Sequence, residues 1–252
     1  MFRGNSTKER GPSSKDHHFN TVSRRCFQRF ILLFVAPLAL LMKTTAAAFA
    51  LSFASALAVD STQFFTFDSA GVQGHVQFIY RFKEDTFVGA DINAALDVTS
   101  ATWDVLAKSN ANCTGPIQEF KWHIHTVWAN PPTATMQSSA ALGDCSLAKA
   151  GNHYDPLFAC GPNSEHATHP KCKPITPTYK CTPASYKADP KTCEKGDLSG
   201  KFGTMKNVNN HIQGSWFDAH FPDPSEVTPS WNVMLHAVCA GGDTPRFVCA
   251  AA

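Results

Sequence analysis

The chain has 252 residues, 43% of them hydrophobic, and a formal net charge of +2. The positive sign comes from the first 58 residues, which hold eight of the 22 Lys/Arg and two of the 20 Asp/Glu, so residues 59–252 carry −4. That remainder has no basic stripe, which excludes nucleic-acid binding as its main role, and its 194 residues suit one domain.

Residues 1–29 are polar and basic without an apolar period, and the chain turns apolar from Phe30 to Ala58. Lys43, Thr44 and Thr45 break that run short of the ~20 apolar residues a membrane span needs. Starting at Met42, "MKTTAAAFALSFASALA" has one basic residue, an apolar centre and the small-x-small ending Ala56-Leu57-Ala58, the pattern of a secretory signal peptide. The expectation is therefore a dispensable extension over 1–41, a signal over 42–58 cleaved after Ala58, and a mature domain over 59–252 with no membrane segment.

Strand-like segments follow in order. "TQFFTFDS" (62–69) and "GHVQFIYRF" (74–82) flank a turn at Ala70–Gly74, and "FVGADINAALDVT" (87–99) and "IQEFKWHIHTVW" (117–128) come next. "NVNNHIQGSWFDAHF" (207–221), "WNVMLHAV" (231–238) and "RFVCAA" (246–251) carry the same β-rich composition. Short strands with turn signals between them predict an antiparallel all-β sandwich or barrel. No helix period and no internal repeat is evident.

Residues 155–200 differ, being rich in Pro, Lys, Cys and Asn. So long a loop in a compact domain is functional or stapled. Four of the eight cysteines after Ala58 fall in it (Cys160, Cys172, Cys181, Cys193). An even number in an exported chain makes disulfides the default. Cys113 and Cys239 lie near the strand-like segments 117–128 and 231–238 and are candidates to pair with each other, while the loop cysteines leave several connectivities open. Asn112-Cys113-Thr114 is a glycosylation sequon.

Of eleven histidines, His123 and His125 stand out. Side chains two apart on a strand share a face, so the two imidazoles stand side by side, with Trp122, Ile124 and Thr126 opposite. His153 follows Gly151 in a loop, and His236 lies in an apolar strand, where a satisfied core histidine is the ordinary reading. His166 and His169 sit in the long loop, and His75, His211 and His220 have no link to a site.

Together, "WHIH", "GNHYDP", "GDL", "LHA" and "RFVC" occur in an order that resembles the copper/zinc superoxide dismutase family over most of residues 63–251, and "GVQGHVQF" resembles its first hairpin. No single motif is specific; the order of five is. The resemblance implies a Greek-key barrel of that type with a long disulfide-stapled loop. It also implies His123, His125, His153 and His236 as copper ligands, Arg246 as the guide for superoxide, and a Cys145–Cys249 disulfide. Two features depart from the usual pattern. Glu194 stands where a zinc histidine is expected three places before Asp197, and Gly161 where another would be. His236 and Arg246 are only ten positions apart, too close for the long charged loop of ordinary members.

These departures resemble the secreted copper-only branch, so zinc is not expected. Glu194 is assigned to orient His153, because a metal-bound imidazole needs its other nitrogen fixed, and Asp197 to a supporting role. The implied reaction is alternating Cu(II)/Cu(I) turnover of superoxide to dioxygen and hydrogen peroxide. His153 is the ring that leaves the metal and takes a proton. A secreted monomer is expected, with association with a cell wall compatible with it. The alternatives are an extracellular copper store that keeps the ligands without turnover, a polysaccharide-acting copper monooxygenase and a zinc module in 160–193. The second needs an N-terminal histidine where Val59-Asp60-Ser61 stand, and the spacings in 160–193 match no standard zinc pattern.

Overall fold

The computed structural model describes residues 61–130 and 139–252; the expected signal and the extension before it lie outside these. Nine antiparallel strands run β1 (Thr62–Ser69), β2 (Val72–Lys83), β3 (Thr86–Asp97), β4 (Glu119–His125), β5 (Ser139–Ala141), β6 (Met205–Val208), β7 (His211–Asp218), β8 (Asn232–Ala237) and β9 (Arg246–Ala251). The helices are short: α1 (Trp103–Ser109), α2 (Leu147–Ala150), α3 (Pro183–Ala188) and α4 (Leu198–Phe202).

The strands form one sheet in the order β1-β2-β3-β7-β6-β4-β8-β9-β5. Its two ends approach each other, and the Asp68 N–H donates to Ser139 Oγ at 3.1 Å, so the sheet is a nearly closed barrel. Closure leaves few strand edges open. The hairpins β1–β2, β2–β3 and β6–β7 each turn in two residues, Ala70-Gly71, Glu84-Asp85 and Asn209-Asn210. All six take positive φ, as tight two-residue turns matched to strand twist require. The first turn is thus narrower than the stretch 70–74 expected from sequence, and Val72 already opens β2. From β3 the chain passes through α1 and enters β4 three places away, leaving a two-strand gap that the β6–β7 hairpin fills. That over-reaching connection is of Greek-key type.

Inside lie Phe65, Phe78, Ile92, Phe120, Trp122, Val233, Leu235 and Phe247, all at most 1% exposed. On β4 and β8 these alternate with the histidines, so His123, His125 and His236 face outward from the barrel. They are buried all the same, because the long excursion between β5 and β6 covers that face. β4 pairs with β6 only at Glu119 and Phe120. Further along, its edge is taken by loop backbone: Ile124 N–H donates to Gly196 O and Tyr154 N–H to Ile124 O, both at 2.9 Å. Ser199 of α4 bonds the Trp122 backbone, and the Trp122 indole donates to Gly203 O at 3.0 Å. In this way the segment carrying Glu194 and Asp197 is docked beside β4.

Four disulfides fix the connections: Cys113–Cys239, Cys145–Cys249, Cys160–Cys172 and Cys181–Cys193. The last two staple the 155–200 excursion within itself. Such bonds belong to an oxidising, extracellular setting. Among the described residues no helix is long and apolar enough to cross a membrane.

α4 is held to the barrel by Lys201, fully buried, which donates to Asp218 Oδ2 at 3.0 Å and to Lys195 O at 2.7 Å. Removing one partner of a buried pair leaves the other charge stranded, at about 3–5 kcal/mol. Lys201→Met should therefore lower unfolding stability by about that much in urea titrations; a loss below about 1 kcal/mol, the range of an exposed pair, would contradict this anchoring role.

Candidate metal centre

The four histidines of the sequence reading come together. One nitrogen each from His123, His125, His153 and His236 lies within 4.8 Å of the others. β4 supplies the first pair, β8 supplies His236, and His153 comes from the loop that follows α2. His153 pairs across from His125 in a single bridge, and from Ser164 on its other side, which locks its position. Gly151 makes this approach possible: it sits at φ +73°, and a β-carbon there would lie 2.9 Å from the Val127 nitrogen.

A neutral imidazole has two nitrogens, and here each ring uses them differently. Outward-facing nitrogens are fixed by the protein. His125 Nδ1 lies 2.9 Å from Gly151 O, His236 Nδ1 lies 3.0 Å from Thr244 O, and His153 Nδ1 lies 2.6 Å from Glu194 Oε2. His123 Nε2 lies 3.5 Å from Asp197 Oδ1, longer than a close hydrogen bond. The other four nitrogens, His123 Nδ1 and the Nε2 atoms of His125, His153 and His236, are buried without a hydrogen-bond partner. Four such atoms at one point, three of them on rings held from behind by a close hydrogen bond, fit a metal ion and no ordinary core packing.

Electrostatics agree with that fit. Burial, reinforced by neighbouring imidazoles, holds His123 and His125 well below the usual histidine range. Burial likewise pushes His236 down to about 3. These rings stay neutral, as ligands must. Glu194 is raised by burial and held back by His153 beside it.

Arg246 belongs to the same neighbourhood. Its guanidinium donates to Cys145 O at 3.0 Å, to Gly151 O at 2.8 Å and to Asn152 Oδ1 at 3.3 Å. Gly151 O thus serves both Arg246 and His125. Arg246, His123, His153, His236, Glu194 and Asp197 all line one cleft of about 690 Å³.

Around Glu194 the packing is close. A β-carbon at Gly161 would lie 2.3 Å from Glu194 Oε1, so the absence of a side chain at 161 is what admits this carboxylate. The Tyr179 hydroxyl joins the two acids, accepting from Glu194 N–H at 3.2 Å and donating to Asp197 Oδ2 at 2.8 Å. Asp197 also caps α4 through Gly200 N–H. Tyr179, Asn152 and the carbonyls of Thr244 and Gly151 were not foreseen. Only Gly151 had a signal, as the glycine two before the loop histidine.

His166 and His169 lie elsewhere, both packed on the Phe158 ring. Since Cys160, Cys172, Cys181 and Cys193 are in disulfides, they are not free to make a zinc module. No family model matches the chain, and no curated protein matches it. Fold and site together define an all-β barrel with a buried four-histidine centre able to hold a metal ion.

Two predictions follow from this geometry. The unfolded chain protonates its histidines near 6.5, whereas folded His236 does so only near 3. Unfolding therefore takes up protons in acid. Stability of the metal-free protein should be full above pH 6.5 and fall towards pH 3, by up to about 1.4 kcal/mol per pH unit for each such ring. Urea midpoints that stay flat across this window would refute buried neutral rings. Second, Gly161→Ala should displace the Glu194 carboxylate and weaken metal affinity roughly 10–100-fold, as Glu194→Gln should. Chelator competition would measure both, and an unaffected Gly161→Ala would show that the contact does not matter.

Proposed function

We propose that the protein is an exported, copper-dependent superoxide dismutase that works without zinc. The observation that carries this reading is the convergence of four unpartnered imidazole nitrogens beside a cleft that Arg246 also lines. The motif order in the sequence supports it further. An all-imidazole set suits copper in both common oxidation states, and the four disulfides support export.

Copper, when bound, would supply the one-electron exchange by which two superoxide ions and two protons become dioxygen and hydrogen peroxide. The residues of the chain do the rest. Arg246, fixed by three acceptors, holds a positive charge at the cleft without a carboxylate among those acceptors to neutralise it. It attracts and orients a small anion, which matters in a domain of net charge −4. His153 is the ring best placed to take a proton at Nε2, because its Nδ1 faces the Glu194 carboxylate. His125 and His236 lean on neutral carbonyls and lack that support. With Nδ1 of His153 bonded to Glu194 at 2.6 Å, the ring is oriented by a carboxylate and needs no second metal.

The test is superoxide decay with the purified protein loaded with copper alone and zinc withheld. Catalytic decay is expected, and Arg246→Ala should slow it about tenfold at low ionic strength while flattening its salt dependence. Stoichiometric copper binding without turnover would overturn the dismutase assignment in favour of a copper store.

A further inference from the structure

Strand register sets a second cation beside the four-histidine centre. Lys121 of β4 pairs with His236 of β8, and His236 in turn pairs with Arg246 of β9. The three residues form one row across three adjacent strands, each step about 5 Å between β-carbons. The β8–β9 register shifts between Leu235 and His236, a local irregularity of the kind that re-aims side chains at sites. Lys121 also precedes His123 by two on its own strand, so both stand on the outward face. It is exposed, and it lines the same cleft as Arg246.

The acids of the neighbourhood are each engaged elsewhere. Glu119, two before Lys121 on the same face, is bound to Lys206 at 2.5 Å and to the Thr204 hydroxyl at 2.9 Å. Glu194 is committed to His153, and Asp197 to Tyr179 and Gly200. Among the described residues no carboxylate pairs with Lys121. The cleft thus carries two positive charges flanking His236 in the strand row, one held by three acceptors and one exposed to water.

We propose that Lys121 and Arg246 together form an entry site for small monovalent anions, with Lys121 collecting the anion from solvent and Arg246 receiving it at the histidine centre. The inference rests on the copper reading above and gives that site its selectivity for charge. Two cations lining one cleft focus the local field even where the domain as a whole is acidic. A side chain exposed to water acts through a screened field, so its contribution must fade with salt, whereas Arg246 is half-buried and fades less.

Azide, a small linear monoanion, is the probe, followed by its charge-transfer absorption on the copper(II)-loaded protein. At ~10 mM salt Lys121→Gln should weaken azide binding about threefold and Lys121→Glu about tenfold, with Lys121→Arg matching the parent. The differences should close at ~0.5 M salt. Equal azide affinity in all four proteins at low salt would overturn the proposal while leaving the copper site intact. Azide binding as expected in a protein that fails to dismute superoxide would support the anion site and remove only the enzymatic reading. Failure to take up copper would remove both.

Discussion

A buried imidazole is tolerated only if it stays neutral and finds a use for both of its nitrogens. Four of them turned towards one point impose that condition four times over. Much of the protein outside the barrel answers it. Gly151 and Thr244 supply carbonyls, Glu194 supplies a carboxylate, and Asp197 closes from further off. Every one of these groups comes from a connecting segment. The barrel fixes where three rings begin, and the loops decide which way the nitrogens point.

That division explains the unusual weight of the excursion between β5 and β6. A barrel of this size could be joined by short turns, as its three tight hairpins are. Instead the chain spends about sixty residues covering one face, and it is tied at Gly196, Tyr154 and Ser199 to the edge of β4 that β6 leaves unpaired. Gly196, Tyr154 and Ser199 act there as an irregular extra strand. Buried backbone needs partners. By meeting that need for β4, the loop also brings the acids against the histidines.

What was legible in the sequence follows the same division. Alternation on β4 announced itself, because a strand's period places His123 beside His125, whereas β8 is strongly apolar, so His236 taken alone read as a core histidine and only the order of the motifs tied it to the others. The outer strands were equally plain in their aromatic and β-branched residues. The three-residue β5 was not, since a strand that short has no period to read. The tight turns at Ala70-Gly71 and Glu84-Asp85 were blurred because only one of those four residues is a glycine. Tyr179 left no trace either: it is joined to Asp197, eighteen positions away, by a hydroxyl whose role depends on how the loop folds. The carbonyls of Gly151 and Thr244 belong to the backbone, which every residue has, so no residue type marks them. The pairing of an absent side chain at 161 with a carboxylate at 194 was visible as two oddities, but that they occupy the same space required coordinates.

Two neighbours in the chain give the disulfides a further meaning. Gly161 directly follows Cys160, and Glu194 directly follows Cys193, so each residue of the pair that meets at His153 is attached to a bridged cysteine. Each bridge spans twelve positions and ends beside one of the two groups in contact. The Glu194 carboxylate is thus flanked by covalent links as well as by the hydrogen bonds that dock its segment on β4. Strand pairing places three of the rings, and a cross-linked loop carries the group that aligns the fourth.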